Sequence, residues 1–143
     1  MMLGIVGSEA KKFTKETEDT ARRSIAALCT VSGATGIVSG GCHLGGIDAW
    51  AAEHAHANNL LLIEHLPANL SWAAGYKPRN LLIARDCDAC FCITVRELPA
   101  GYTGMRFKLC YHCGVDTHVK SGGCWTVKEA KKLGKPGEIL VIG

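Results

Sequence analysis

The sequence GIVSGGCHLGG, residues 36–46, gives the clearest indication of the fold of this chain. Its first four residues form a short apolar run that is typical of a buried strand, and four glycines then mark a loop. A helical pattern follows from about residue 47 to residue 57. A strand, a glycine loop and a helix in this order predict a parallel sheet that is covered by helices.

The same alternation continues on both sides of that stretch. Apolar runs predict further strands at residues 3–6, 60–63, 89–95 and 138–142. Helices are predicted after the capping residue Thr14, with Ala21, Ile25 and Leu28 on the buried face, from near Arg79, and over residues 126–133. We therefore predict an α/β fold, a Rossmann-like three-layer sandwich with a mainly parallel sheet of about five strands.

Length and composition fit one domain. Of the 143 residues, 48% are hydrophobic and 20% are charged, which is the ordinary range for a domain with a single core. We expect residues 1–143 to form one Rossmann-like nucleotide-binding domain. Residues 96–124 have little periodicity but many cysteines, histidines and glycines, and we expect them to form a zinc-binding loop inserted before the last helix.

Charge and targeting signals restrict the partners and the location. The net charge is only +3 and the basic residues are not gathered into a run, so nucleic acid is not a favoured partner. The uncharged residues 24–47 contain too many Gly, Ser and Thr for a membrane span. The first residues lack the basic region and cleavage pattern of a secretory signal, so we expect a cytoplasmic protein that does not bind membranes.

Three cysteines and one histidine have the spacing of a metal site. Eight cysteines in a chain without a secretory signal favour metal ligation or burial over disulfides. The pattern Cys110-x2-Cys113-x4-His118-x5-Cys124 supplies three thiolates and one imidazole, which is a typical ligand set for structural zinc. The sequence therefore predicts a zinc ion bound by these four residues.

Other residues could join or replace these ligands. His112 is an alternative to His118, and Cys87, Cys90 and Cys92 offer further sulfur atoms. Cys90 and Cys92 lie two residues apart on a predicted strand, so they share one face and are better explained as core residues.

The glycine loop after the second predicted strand is a candidate anion site. Ligands of open parallel sheets bind outside the carboxyl ends of the strands, where this loop begins. Glycines let the backbone approach a phosphate, and the following helix presents free N–H groups. The candidate ligand-binding residues here are Ser39, Gly40, Gly41, Gly45, Gly46 and Asp48. Tight turns alone would also explain the glycines, and Asp48 also suits the first turn of a helix.

Four segments carry a resemblance to a known family. They are GIVGSEAKKFT (residues 4–14), VSGGCHLGGIDAWA (38–51), KPRNLLIA (77–84) and SGGCWTVKEAKKLGKP (121–136). In this order they resemble the SLOG superfamily of Rossmann-like nucleotide-binding proteins, which includes the Lonely Guy phosphoribohydrolases and the molybdenum-cofactor carrier proteins. The resemblance covers nearly the whole chain apart from the cysteine-rich loop.

The last segment looks like the PGGxGTxxE motif of the Lonely Guy enzymes. The matching residues are Gly122, Gly123, Thr126 and Glu129, while Ser121 replaces the proline and Trp125 replaces the third glycine. The resemblance implies that Glu129 and Arg79 would be the catalytic residues of an enzyme. A carboxylate can stabilise an oxocarbenium-like ribose, and a guanidinium can hold a phosphate.

The resemblance also implies ligand contacts outside the glycine loop. The implied ligand-binding residues are Gly7, Ser8, Arg79, Asn80, Gly122, Gly123 and Thr126. Related proteins often carry an arginine after the Gly-Ser of the first strand, where this chain has Glu9, with Lys11 and Lys12 slightly beyond. A lysine could replace that arginine as a phosphate contact.

These observations lead to three hypotheses about function. The first is a protein that senses or sequesters a phosphate-bearing nucleotide derivative at the C-terminal rim of the sheet. The second is a nucleoside 5'-monophosphate phosphoribohydrolase, which cleaves an N-glycosidic bond. The third is a zinc-knuckle nucleic-acid binder, for which Lys108, Tyr111, Lys120 and Trp125 would supply charge and stacking surface. The family resemblance makes a homodimer an expectation in the first two cases.

Overall fold

Five parallel strands form one sheet in the computed structural model, which describes residues 1–143. The strands are β1 (Met2–Gly7), β2 (Gly36–Ser39), β3 (Leu61–Glu64), β4 (Ala89–Val95) and β5 (Gly137–Ile142). Their order across the sheet is β3-β2-β1-β4-β5, and every neighbouring pair is parallel. The predicted α/β, Rossmann-like three-layer sandwich is therefore confirmed.

Four helices cover the two faces of the sheet. They are α1 (Lys15–Ser32), α2 (Ile47–Ala57), α3 (Lys77–Asp86) and α4 (Gly122–Lys132). Buried residues of α1 and α2 pack with one set of strand side chains, such as Ile5 and Ile37. Buried residues of α3 and α4 pack with the opposite set, such as Val6 and Val38. Side chains alternate between faces along each strand, so two cores form on opposite sides of one sheet.

The first helix begins where the sequence predicts it. The Thr14 hydroxyl accepts a hydrogen bond from the Thr17 amide at 3.2 Å, and the Thr17 hydroxyl accepts one from the Thr14 amide at 2.8 Å. This reciprocal pair satisfies two amides that would otherwise have no partner. The buried face differs in one position from the prediction, because Cys29 lies in the core and Leu28 is only half-buried.

Two other helices begin earlier than the sequence predicts. A five-residue π-helical turn, Trp72–Tyr76, leads directly into α3 at Lys77, whereas the pattern placed the start near Arg79. Helix α4 begins at Gly122 and not at Thr126, because the Ser121 hydroxyl caps it by accepting from the Gly123 amide at 3.1 Å. Glycines are weak helix formers, so local propensity hides a start that the serine cap stabilises.

Gly46 fixes the start of α2 against the end of β1. Its φ of 83° and ψ of −144° lie in a region that other residues rarely adopt. A Cβ at this position would collide with the backbone of Ser8, Glu9 and Ala10. The Ile47 amide donates to the Ser8 carbonyl at 3.1 Å, which joins the two segments.

The segment between β4 and α4, residues 96–121, has no helix or strand. Between residues 96 and 120 only Cys110 and His118 are buried, so this segment has no apolar core of its own. No helix in the structure has the length and apolar character that crossing a membrane requires.

Two glycine substitutions should separate conformational strain from close packing. Gly33 ends α1 with a φ of 65°, and a Cβ there would meet no atom within 4 Å. We expect Gly33→Ala to lower the free energy of unfolding by about 1–2 kcal/mol through strain alone. Gly46→Ala should cost about 1–3 kcal/mol more, because its Cβ also displaces the backbone after β1 and its φ and ψ are less accessible to alanine than those of Gly33.

Urea unfolding followed by circular dichroism would measure both changes. Equal losses for the two variants would show that the α2 start is not closely packed against the end of β1.

Candidate functional site: a cleft at the carboxyl edge beside a cysteine–histidine cluster

A cleft of about 370 Å³ opens at the carboxyl ends of the central strands. Its walls include the turn after β1, the glycine loop after β2, the start of α3 and the start of α4. The strand order reverses between β1 and β4, and this reversal is where open α/β sheets bind ligands. The cleft therefore lies at the position that this architecture favours for a ligand.

The sequence-predicted ligand residues divide into two groups. Those that line the cleft are Gly7, Ser8, Asp48, Arg79, Asn80, Gly122, Gly123 and Thr126. Those outside its lining are Ser39, Gly40, Gly41, Gly45 and Gly46, and the predicted catalytic residue Glu129 is also outside. The glycine loop contributes Cys42 and Leu44 to the cleft, because its glycines turn the chain and the residues between them reach the opening.

Arg79 is held rigidly with one edge of its guanidinium left free. The side chain is buried, Nε donates to the Asn80 Oδ1 at 2.7 Å, and Nη1 donates to the carbonyls of Gly40 at 2.6 Å and His65 at 3.3 Å. The Tyr76 ring lies 5.3 Å from the guanidinium carbon. Nη2 has no hydrogen-bond partner in the protein, so its two N–H groups remain for a ligand.

Asp48 is the buried carboxylate of the cleft. Its Oδ1 accepts a hydrogen bond from the Ser39 hydroxyl at 3.1 Å, and its Oδ2 accepts one from the Cys42 amide at 3.2 Å. Ser39 and Cys42 therefore position this carboxylate. Burial raises the pKa of Asp48 from 3.8 to about 6, although the nearby Arg79 charge lowers it. No direct ion pair joins Asp48 to Arg79, but the two charges interact across a short distance, so an ionised Asp48 partly compensates the arginine.

Two lysines lie next to each other in the lining of the cleft. Lys12 donates to the Lys120 carbonyl at 3.3 Å, and both side chains line the cleft. Burial lowers the pKa of Lys12, and the neighbouring Lys120 charge lowers it further, while Glu9 raises it. Neither lysine forms an ion pair, although the Glu9 carboxylate, which also lines the cleft, partly compensates the charge of Lys12.

Aromatic rings form the outer part of the cleft. Trp72, Tyr76, Tyr111 and His112 all line it. The Trp72 ring lies 5.8 Å from His112 and 5.1 Å from Trp125, the latter in an edge-to-face contact. Trp125 does not line the cleft but packs against Trp72. It occupies the position at which the family motif has glycine. Such a set of rings offers a stacking surface for a planar base.

Of the four rings that line the cleft, the sequence predicted only Tyr111 as a stacking residue, and only for the nucleic-acid hypothesis. Trp72 and Tyr76 lie in a segment that looked like a plain connection between two prolines, and the π-helical turn that turns them inward has no local signature. Lys12 was recognisable only as a substitute for a missing arginine. Tyr111 and His112 are brought to the cleft by the loop that follows β4, and the order of residues alone does not show this.

The four predicted metal ligands converge. Cys110, Cys113, His118 and Cys124 form a cluster that could hold a metal ion, with their ligand atoms all within 4.8 Å of one another. The sulfur of Cys124 lies 3.7 Å from the His118 Nε2. Three of the four residues are buried although the surrounding loop is exposed. This burial fits a site whose interior is a metal ion, because the loop has few apolar groups to hide these side chains.

The alternative ligands lie elsewhere. His112 faces the cleft beside Tyr111 and Trp72 and does not belong to the cluster. Cys87, Cys90 and Cys92 are buried in the core between the sheet, α3 and α4. The Cys92 sulfur comes within 4.0 Å of the Cys124 sulfur from the strand side, but the cluster is complete without it.

The cluster and the cleft share one stretch of chain. Tyr111, His112, Lys120, Ser121, Gly122 and Gly123 line the cleft, and all of them stand between the first and last cluster residues. Cys124 itself is the third residue of α4. A metal ion held by the cluster would therefore fix a whole wall of the cleft relative to the α4 N-terminus.

No protein-family model matches this chain, and no curated protein is similar enough to be matched. The resemblance to the SLOG superfamily accordingly stays a prediction.

Asp48 should make stability depend on pH in a defined way. Because folding raises the pKa of this carboxyl, its contribution is complete below about pH 4 and is lost as the pH rises through about 6. Asp48→Asn stays neutral at every pH. The free energy of unfolding of the unmodified protein, taken relative to this variant, should fall by about 3 kcal/mol between about pH 4 and pH 7.

Urea unfolding at several pH values measures this difference in unfolding free energy. The titration of the other groups affects both proteins and cancels when the two free energies are subtracted. Asp19→Asn, which removes an exposed carboxyl of α1, is the matched control. A constant difference between the unmodified protein and Asp48→Asn across this range would contradict the burial of a perturbed carboxyl in the cleft.

Proposed function

We propose that this protein binds a phosphate-bearing, nucleotide-derived small molecule in the cleft, and that it senses or sequesters this molecule without cleaving it. The observation that supports the proposal best is the free Nη2 edge of Arg79, which shares one cleft with Lys12, the α4 N-terminus and four aromatic rings. Cations and amides suit a phosphate, and the rings suit a base.

The phosphate half of the ligand would lie against the start of α4. Gly122 is the first residue of that helix, so its N–H has no partner within the helix, and the helix dipole favours an anion here. A Cβ on Gly122 would meet no atom within 4 Å, so its backbone faces open space. Arg79 on one side and Lys12 on the other would supply the charge-assisted hydrogen bonds.

The base half would lie among the rings. Trp72 and Tyr76 belong to the turn that precedes α3, and Tyr111 and His112 belong to the loop after β4. Trp125 holds Trp72 by an edge-to-face contact, which reduces the entropy that ordering this ring on binding would cost. The predicted departure from the family motif at Trp125 thus supports a ligand surface in this proposal.

Binding is favoured over hydrolysis by the position of Glu129. Its carboxylate accepts from the Lys132 ammonium at 3.0 Å on the side of α4 and does not line the cleft. The carboxylates that do line it are Asp48 and Glu9. Asp48 already accepts two hydrogen bonds and lies beside Arg79, and Glu9 interacts with the charge of Lys12. The phosphoribohydrolase, with Glu129 and Arg79 as catalytic residues, is the second candidate, since Arg79 faces the cleft as that reaction requires.

We further propose that the metal is zinc and that its role is structural. Three thiolates and one imidazole form a closed tetrahedral set with no position left for a substrate. The ion would replace the hydrophobic core that residues 96–121 lack. A cytoplasmic location and a homodimer stay predictions, as does the absence of a nucleic-acid partner.

The ligand proposal can be tested by isothermal titration calorimetry with the metal-loaded protein. The probes are the four ribonucleoside 5'-monophosphates and the four corresponding nucleosides. We expect at least one monophosphate to bind about tenfold more tightly than its nucleoside, since a charge-assisted hydrogen bond is worth about 1.5–3 kcal/mol. Lys12→Gln should weaken the binding of that monophosphate by a similar factor. Lys131→Gln, which replaces an exposed lysine outside the cleft, should leave the binding unchanged.

Equal affinity for nucleosides and monophosphates would contradict the phosphate site. Chromatography of the same mixtures after long incubation separates the two candidate functions. Release of free base that Glu129→Gln abolishes would establish the phosphoribohydrolase instead.

The metal proposal predicts a loss of both zinc and ligand affinity in one variant. Elemental analysis should find about one zinc ion per chain, and Cys113→Ser should lose it because thiolate ligands carry most of the affinity. The variant should also bind the nucleotide about tenfold less tightly, since the cleft wall between Cys110 and Cys124 is no longer fixed.

Cys42→Ser is the control for metal content, because Cys42 lies in the glycine loop outside the cluster. Unchanged zinc content in Cys113→Ser would exclude the site. If Cys113→Ser lost zinc but kept full nucleotide affinity, zinc would have no role in shaping the cleft.

A further inference from the structure

A second cleft of about 440 Å³ adjoins the first on the outer side of the loop after β4. Lys12 and Lys120 line both clefts, so these two lysines form the boundary between them. The second cleft is otherwise lined by residues near the end of β4 and in the metal-cluster loop, including Arg96, Arg106 and Lys108. The ligand proposed for the first cleft does not account for this space.

The second cleft has a strong excess of positive charge. Its lining holds the five cations Lys12, Arg96, Arg106, Lys108 and Lys120 against the two carboxylates Glu97 and Asp116. None of the five forms an ion pair in the structure. The difference, five minus two, equals the net charge of +3 of the whole chain, so the positive excess of the protein is concentrated here. Cations gathered around a concave surface focus the potential that attracts an anion.

The boundary lysines are placed for a shared anion. Lys12 is half-buried and its ammonium is hydrogen-bonded only to the Lys120 carbonyl, at 3.3 Å. The Lys120 ammonium lies 5.1 Å from the ring centres of Phe107 and Tyr111 and has no carboxylate partner. A negatively charged group between the two lysines would relieve their mutual repulsion, and it would connect the two clefts.

From this geometry we propose that the second cleft binds a second anionic group of the same ligand. The ligand would then be a nucleotide derivative with at least two negatively charged groups in series, such as a nucleoside 5'-diphosphate or a diphosphate ester. One group contacts Arg79 and the α4 N-terminus, and the next passes Lys12 and Lys120 toward Arg106 and Lys108. This inference rests on the proposed function, because the base and the first phosphate occupy the first cleft.

Single-stranded nucleic acid fits the second cleft less well. Non-specific binding of single strands depends on aromatic rings that are open to successive bases. Phe107 and Tyr111 pack edge-to-face at 5.7 Å, and the Lys120 ammonium lies near both rings. Phe107 is the one Phe, Tyr or Trp among the residues that line the second cleft, so what this cleft offers a ligand is mainly charge.

The test compares nucleoside 5'-monophosphates with the matching 5'-diphosphates in the full-length, metal-loaded protein. We expect the preferred diphosphate to bind about tenfold more tightly than its monophosphate by calorimetry. The double variant Arg106→Gln/Lys108→Gln should reduce this preference to about threefold or less and should change monophosphate affinity by less than about twofold. Both residues are exposed in a loop, so the variant keeps the core intact.

The matched control is Arg23→Gln/Lys131→Gln, which removes the same charge from exposed helix positions and should keep the full preference. Tight monophosphate binding without any preference for diphosphates would overturn this inference and leave the proposed function standing. If Arg106→Gln/Lys108→Gln lowered the affinities for the monophosphate and the diphosphate by the same factor, the inference would also be overturned. Failure of every nucleotide to bind would remove both proposals.

A single-stranded oligonucleotide of about 12 nucleotides completes the comparison. Binding tighter than that of the best diphosphate, with a slope against log salt that indicates several neutralised phosphates, would assign this surface to nucleic acid instead. Binding weaker than that of the diphosphate supports the small ligand.

Discussion

The convergence of three thiols and one imidazole at the start of α4 is the constraint on which the cleft depends. The sheet and its four helices are held by two apolar cores, and Cys110 is the only buried member of either core in residues 96–121. Within that loop the buried residues are Cys110 and His118 of the cluster and the capping Ser121. Because Cys124 belongs both to the cluster and to α4, the loop is joined to the helix whose N-terminus faces the cleft.

The electrostatics of the cleft follow from which charges have partners. Most ion pairs of this chain lie on helix surfaces, such as Lys15 with Asp19. Around the cleft, carbonyls and an amide oxygen bind Arg79 and a carbonyl binds Lys12, so both cations are oriented by neutral oxygens, with Asp48 and Glu9 near them but not in direct ion pairs. Asp48 is buried and hydrogen-bonded next to Arg79, where its pKa is raised by burial. The result is a rigid positive surface beside a set of aromatic rings.

The resemblance to the SLOG superfamily and the observed geometry agree in part. Arg79, Asn80 and the two glycines at the start of α4 line the cleft, as the resemblance implies for a ligand site. Glu129 lies away from it, paired with Lys132, and Trp125 packs behind Trp72. Of these two positions, Glu129 is the one for which the resemblance implies a catalytic role, and Trp125 replaces a glycine of the same motif. The differences therefore concern catalysis more than binding, and they underlie our preference for a binding protein.

The amino-acid pattern was enough to predict the alternation of strands and helices, the Thr14 cap and the four residues of the cluster, while His112 and further cysteines stayed open as alternative ligands until their positions were known. These features depend on periodicity, local hydrogen bonds and short spacings, which a linear pattern contains. The tertiary structure alone decided which residues meet at the cleft. Lys12, Trp72 and Tyr111 are far apart in the chain, and the glycines of the loop after β2 turn the backbone while Cys42 and Leu44 reach the opening. Such contacts arise when the sheet order and the loop after β4 bring distant segments together, and no local rule encodes that packing.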